Sequence, residues 1–329
     1  MPLTRHDFAT LDDVALAAPL LVLHPMPESD PMALARLLVR LARRLLVAPA
    51  TRVLLVARGD TLATEVMAAA TALGIALKPQ HWSVLRLSRT VDAPAVAQAV
   101  LAEAGRAGSS AELRWVGDER QERRLRPWTA AAQQGALPSG AVCWIVGGTG
   151  AIGQALAVHL RARHGAEVVL AARHAGPGVW PLDVTDAAAV ERMAAEIRAG
   201  HGRLDAVFQL AGAMRAAPLG DATAAATEAV LASKIAGTIH LDRATAADRL
   251  SAFVLFSSLA AELGDFGQGD YALANRFLAG FAARRAAEVA AGRRHGRSLS
   301  IAWPVWQSAA WPRQARRGRR RCRRAGWRR

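Results

Sequence analysis

At 329 residues, with 52% of them apolar, the chain is long enough for two domains or one large α/β domain with substantial cores. Its longest apolar runs, such as Ala17–His24 and Ile145–Ile152, are too short to cross a membrane, and Met1–Asp7 lacks the basic-then-apolar layout of an export signal. The net charge of +15 is weak evidence for a nucleic-acid partner, because Trp311–Arg329 alone carry ten arginines and no acid, leaving +5 for the rest.

The pattern of short apolar runs and helical periodicities predicts the following elements in chain order. Leu20–His24 reads as a strand, Pro31–Val47 as a helix, Arg52–Arg58 as a strand and Thr61–Leu73 as a helix. His81–Leu87 is a strand and Ala93–Ala104 a helix. Glu112–Val116 and Arg123–Leu125 then read as two short strands across the turn Gly117–Arg120. This alternation implies a parallel α/β unit. It carries no glycine fingerprint, and its lone histidines (His6, His24, His81) read as structural. A small, polar stretch near Thr129–Gly140 separates it from a second half.

The second half repeats the alternation. Ala141–Val146, Ala166–Ala171, Val179–Leu182, Leu204–Leu210, Ala252–Phe256 and Leu299–Trp303 are strands. Ile152–Arg163, Ala187–Ala199, Ala222–Ala247 and Tyr271–Ala291 are helices. The layout is that of a doubly wound Rossmann-like sheet. One segment does not fit. About six residues separate the strands ending near Ala172 and starting at Val179, whereas a helical crossover takes about ten to twelve. Either that helix is missing and the sheet edge is irregular, or the third strand is displaced. Cys143 and Cys322 cannot make a disulfide framework, which suits a reducing, cytoplasmic setting.

The chemistry concentrates in this half. Gly147-Gly148-Thr149-Gly150-Ala151-Ile152-Gly153 follows a strand and opens a helix, the context in which G-x-G-x-x-G lets backbone approach a pyrophosphate at a helix N-terminus. Twenty residues after Gly153 stands Arg173, where an acid would select NAD; an arginine suits a 2′-phosphate and so NADPH. Asp183 ends the next strand and would face the adenine, unless it serves only as an acid at the start of the following helix. Tyr271 is the sole tyrosine, and Asn275 lies one helical turn beyond it. A tyrosine hydroxyl, with an ordinary pKa near ~10, needs a nearby cation to give up its proton near neutrality, and Lys234 is the candidate. Ser258, thirteen residues before Tyr271, can donate to a carbonyl oxygen as it gains charge.

These residues resemble the short-chain dehydrogenase/reductase superfamily, and more closely the ketoreductase domain of modular polyketide synthases. The resemblance rests on Phe256-Ser257-Ser258, on Gly267-Gln268-Gly269-Asp270-Tyr271-Ala272-Leu273-Ala274-Asn275 and on Ser298–Pro304. Ordinary members of the superfamily carry lysine four residues after the tyrosine. The synthase domains exchange lysine and asparagine, as Lys234 and Asn275 do here. Trp303-Pro304-Val305-Trp306 looks most like ketoreductases of synthases with free-standing acyltransferases. The resemblance implies a structural subdomain over 1–139, a catalytic NADPH-binding subdomain over 140–306, and cofactor contacts that extend to Ala211, Gly212 and Pro304. It also implies an acyl carrier protein bearing a β-ketoacyl chain and neighbouring synthase domains as partners.

The departures are specific. Gln209-Leu210-Ala211-Gly212 replaces the family's His-Ala-Ala-Gly, and Met214-Arg215-Ala216 stands where one stereochemical class has Leu-Asp-Asp. The tryptophan of the opposite class would fall near Leu263. Loss of the Asp leans toward an L-configured alcohol. Residues 307–329 replace the family's lid helix with arginine-rich sequence, expected to be disordered or the product of a frame shift near Gln307–Ala310, with a basic arm for nucleic acid or anionic lipid as the competing reading. A catalytically impaired remnant and a free-standing dehydrogenase for a diffusible ketone are the rival functions.

Overall fold

The structure is a computed structural model, and it describes residues 20–24, 29–47, 52–77, 81–106, 110–116, 119–127, 137–174, 176–213, 218–264 and 267–304. The expected arginine-rich tail over 307–329 lies outside the described residues. Two sheets hold the chain together. The first has the order β1 (Leu20–Leu23), β2 (Arg52–Arg58), β3 (His81–Leu87), β4 (Ala111–Val116), β5 (Glu119–Glu122). Strands β1 to β4 are parallel and β5 is antiparallel. Its helices are α1 (Pro31–Leu45), α2 (Leu62–Ala69), α3 (Thr71–Ala76) and α4 (Ala93–Ala104). Helix α1 starts where Pro31 supplies a preset φ and the Asp30 carboxylate accepts from Ala33 N–H at 2.7 Å.

Alternate residues of β2 separate two cores. Val53, Leu55 and Ala57 face α1 and α2, while Leu54 and Val56 face α4. Two details differ from the sequence reading. The helix expected over Thr61–Leu73 breaks at Ala70, where three-residue bonds such as Leu73 N–H to Ala70 O (2.9 Å) replace the α pattern. There α3 drops onto β3 so closely that a Cβ at Gly74 would lie 2.7 Å from the Trp82 nitrogen. The last strand is Glu119–Glu122 rather than Arg123–Leu125. It is a polar edge strand, so no apolar alternation marks it. Arg120 anchors it through Glu103 at 2.7 Å.

The second sheet is parallel throughout, with the order β11 (Arg297–Trp303), β10 (Ala252–Ser258), β9 (Ala206–Gln209), β6 (Val142–Val146), β7 (Glu167–Ala172), β8 (Val179–Pro181). Helix α5 (Ala151–His164) packs on one face. On the other lie α6 (Ala187–His201), α7 (Ala224–Ala244), the short α8 (Ala260–Leu263) and α9 (Gly269–Ala290). This is the doubly wound α/β arrangement expected. The strand order reverses between β6 and β9, and the crevice beyond their C-terminal ends is where such sheets take ligands.

The short connection after β7 is also explained. Strand β8 pairs parallel with β7 at the sheet edge, Leu170 opposite Val179 and Ala172 opposite Pro181. The third strand is not displaced; the helix is what is lacking, and no helix occurs among the described residues between Ala172 and Val179. A three-residue strand needs the chain to climb back only two positions, about 7 Å at ~3.3 Å per residue, so a turn suffices.

The two halves pack directly. Arg36 of α1 holds Glu228 of α7 at 2.6 Å, and Arg43 donates to the Leu219 and Ala222 carbonyls at 3.1 and 2.5 Å. At Gly264, φ is +74°, and a Cβ would sit 3.0 Å from the Ile75 carbonyl of α3. Gly264→Ala is therefore expected to destabilise the chain by roughly 1–3 kcal/mol, read as a lower denaturant midpoint with an unchanged slope. No described helix is long and apolar enough to cross a membrane.

Candidate active site

The glycine-rich turn sits at the β6 end of the crevice. Gly147 has φ +87°, and a Cβ there would lie 2.6 Å from the Ala211 nitrogen on the β9 side, so only glycine fits. Its N–H and that of Gly148 both donate to the Ala171 carbonyl, at 2.8 and 3.1 Å, which pins the turn to β7. Gly153 packs on Gly148, where a Cβ would stand 2.8 Å from its Cα. Thr149 and Gly150 are exposed, Ile152 is half-buried, and α5 starts with no side chain capping its first turn. Its first N–H groups and the positive end of the helix dipole therefore face the crevice, a cradle that fits the pyrophosphate of a dinucleotide.

Arg173 is exposed immediately after β7. Asp183 follows β8, and its carboxylate accepts from Thr185 N–H and Oγ1 at 2.9 and 2.8 Å. The backbone N–H of Thr185 does most to hold that carboxyl below its ordinary range, against burial, with smaller help from the Thr185 hydroxyl and the Arg173 charge. Asp183 does not cap α6. Asp186 does, accepting from Ala189 N–H at 3.1 Å.

On the far side of the crevice, α7, α9 and β10 converge. Lys234 projects from α7 and is 6% exposed, and its Nζ donates to the Phe256 carbonyl of β10 at 2.7 Å. Burial pushes its ammonium down to about 8. Gly212 makes room for it, since a Cβ there would lie 2.8 Å from the lysine Cε. Ser258 ends β10 opposite Trp303 of β11, and Pro304 follows that tryptophan. The Ser258 Oγ accepts from Ala260 N–H at 3.2 Å, which fixes the oxygen and leaves its own proton available for donation. Tyr271 lies in the first turn of α9, half-buried against the core. Asn275 is one turn further in; its Nδ2 donates to the Tyr271 carbonyl at 2.9 Å, while its buried Oδ1 has no partner among the described residues. Ser257 Oγ ties the same turn to β10 by donating to the Asn275 carbonyl at 2.8 Å.

Residues 178–308 match the family model of the KR domain. That stretch, which holds Lys234, Ser258, Tyr271 and Asn275, belongs to the KR domain family. Over 293 residues the chain is 34% identical to polyketide synthase ThaG of Burkholderia thailandensis, a match that takes in 80% of this chain and 5% of that protein. Erythronolide synthase EryA3 of Saccharopolyspora erythraea is 38% identical over 205 residues, 56% of this chain and 6% of the synthase. Among solved structures, a ketoreductase domain from the bacillaene assembly line superposes with a TM-score of 0.75 at 21% identity, over 90% of this chain and 76% of that one. A structure of A-type ketoreductases from a modular polyketide synthase reaches 0.66 at 29% identity, over 85% and 65%.

In this KR domain Gln209, which replaces the family histidine, is fully buried and ties the loop after β9 to helix α7. Its Nε2 donates to the Ser233 carbonyl at 2.9 Å and its Oε1 accepts from Ala211 N–H at 3.0 Å. It thereby holds the half-buried Ala211 and the exposed Gly212 against the residue that precedes Lys234. Only the family comparison could have flagged it, because a glutamine in an apolar strand has no spacing signature. Met214–Ala216, on which the stereochemical expectation rests, lie outside the described residues, as does the lid region beyond Pro304. Leu263, where the opposite class has tryptophan, is exposed on α8.

Proposed function

We propose that this KR domain reduces the β-keto group of an acyl chain carried on an acyl carrier protein, with NADPH as reductant. The observation that carries the reading is the convergence of Lys234, Ser258, Tyr271 and Asn275 from three elements at the crevice that the glycine turn borders. NADPH, when bound, supplies the hydride. Gly147, Gly148, Thr149, Gly150, Ile152 and Gly153 would receive its pyrophosphate, Arg173 its 2′-phosphate and Asp183 its adenine. Ala211, Gly212 and Pro304 would line the nicotinamide side. Ser258 orients and polarises the ketone, and Tyr271 protonates the oxygen as charge develops on it. Lys234 and Asn275 hold the ribose, and the Asn275 Oδ1 offers an acceptor to the proton supply behind the tyrosine.

The division proposed is a structural part over 1–139 and a catalytic part over 140–306, with neighbouring synthase domains as further partners. One observation favours a second reading, an impaired remnant: the turn that replaces the crossover helix after Arg173 leaves little chain to enclose the adenosine. NADPH oxidation followed by absorbance with a β-ketoacyl thioester decides between them. Turnover supports the reductase; neither turnover nor NADPH binding supports the remnant.

Arg173 gives a separate test of cofactor choice. Arg173→Ala is expected to raise KM for NADPH by roughly tenfold or more, the worth of one charge-assisted phosphate contact. KM for NADH should stay where it was. An equal rise for both would show that Arg173 does not read the phosphate.

A further inference from the structure

An ion network crosses from the first sheet to the active-site loop. Arg276, the residue after Asn275, is 8% exposed and reaches two carboxylates. Its Nη2 holds Glu112 of β4 at 3.2 Å, and its Nη1 holds Glu262 of α8. Glu262 is also gripped by Arg123 through both of its oxygens, at 2.9 and 3.1 Å. Glu112 in turn takes Arg86 of β3 at 3.1 Å, and Arg86 holds the buried Glu65 of α2 at 2.7 Å. Arg86, Arg123 and Arg276 thus link Glu65, Glu112 and Glu262, with the exposed Asp60 3.5 Å from Arg86, in a strip shared by both halves. Burial alone would raise the Glu262 carboxyl, but Arg123 and Arg276 overcome it and keep the group below its ordinary value.

What the strip holds is α8. Four residues cannot sustain a helix alone. At one end Leu259 N–H donates to the Trp303 carbonyl at 3.0 Å; at the other Gly264 rests on Ile75 of the first half. Between them, Ala260 N–H fixes the Ser258 oxygen. A shift of α8 therefore moves the hydroxyl that meets the ketone, while the glycine turn stays untouched on the opposite side of the crevice.

We propose that Glu112 is a positioning residue for Ser258, acting through Arg276, Glu262 and α8. The first half of the chain would then set reductase efficiency as well as stability. The assignment rests on the ketone-reduction reading above. Of the residues along this path only Ser258 meets the reacting atoms, so removing the Glu112 charge should lower kcat and leave cofactor binding unchanged.

The test uses the full chain. Glu112→Gln is expected to lower kcat roughly tenfold, since misplacement of a catalytic group by a fraction of an ångström has effects of that order, with KM for NADPH unchanged. In a Ser258→Ala background the same substitution should have almost no further effect, because both act on one hydroxyl. Glu112→Asp, which keeps the charge, should recover part of the loss. Arg276→Lys, which keeps its charge but not its two-pronged reach, should repeat the pattern and guards against a folding defect confined to the first variant. Amide exchange over 260–263 should quicken in Glu112→Gln. Equal losses with and without Ser258, unchanged kcat, or unchanged exchange over 260–263 would each overturn the linkage. A parent chain without turnover counts against the reductase reading instead, and the exchange rates then decide the linkage by themselves.

Discussion

Tyr271→Phe is expected to cut ketone-reduction turnover by roughly 10²- to 10⁴-fold, the usual contribution of a positioned general acid. The substitution deletes one oxygen and keeps the ring that packs against the core, so the fold should survive. NADPH affinity should change by less than about threefold, because the hydroxyl serves the developing alkoxide more than the bound cofactor. Tyr271 is the only tyrosine in the chain, so no second phenol can substitute for it. Ser258→Ala should fall by a comparable 10²- to 10³-fold, as removal of one oxyanion donor does. The two together should lose far less than the product of the single effects, since both act on the same oxygen. Steady-state NADPH oxidation at saturating thioester measures all three. Activity of Tyr271→Phe within tenfold of the parent would remove Tyr271 from the proton-transfer role and with it the mechanism proposed here.

The legible part of this protein was what repeats or turns sharply. Alternating apolar runs located nearly every strand of both sheets, because a strand buried on both faces has to be continuously apolar, as Val142–Val146 is. The glycine turn was readable because Gly147 needs φ +87° and a close approach to Ala211, which no other residue type tolerates. Strand β5 lies at Glu119–Glu122 and not at Arg123–Leu125, because an edge strand of Glu-Arg-Gln-Glu carries no apolar period. Helix α8 leaves no signal in the sequence because it is too short for periodicity and is held through its own Glu262 by Arg276 and the distant Arg123. The spacing after Ala172 is too short for a helical crossover, but only strand pairing shows why a turn suffices there. Long-range partners such as Lys234 with Phe256 and Gln209 with Ser233 are fixed by topology, and local sequence does not announce them.

Lys234→Met should move activity and stability in opposite directions. The lysine is charged and almost fully buried, and its Nζ donates to the Phe256 carbonyl, so the fold pays for its presence. Burial pushes its ammonium down to about 8 in the folded chain, from the ordinary 10.5 that the unfolded chain keeps. Below pH 8 both states hold the proton and the folded state carries the whole penalty, on the order of 3 kcal/mol. Between about 8 and 10.5 the folded chain releases its proton first, the unfolded chain binds more protons, and stability rises with pH. Methionine has similar length and no charge, so at pH 7 it should stabilise the chain by about 1–2 kcal/mol after the lost hydrogen bond is subtracted. Activity should meanwhile drop by roughly 10²-fold or more, because the cation proposed to lower the tyrosine pKa and hold the ribose is gone. In the parent, kcat/KM for reduction should decline as pH passes about 8 and Lys234 loses its charge. That limb should be missing from the residual activity of the variant. Thermal unfolding at pH 7 and a pH–rate profile read both effects. A variant that is less stable and equally inactive would mean that Lys234 is a structural strut between α7 and β10, whereas a more stable and inactive one would mean that the fold tolerates an unfavourable charge because the reaction uses it.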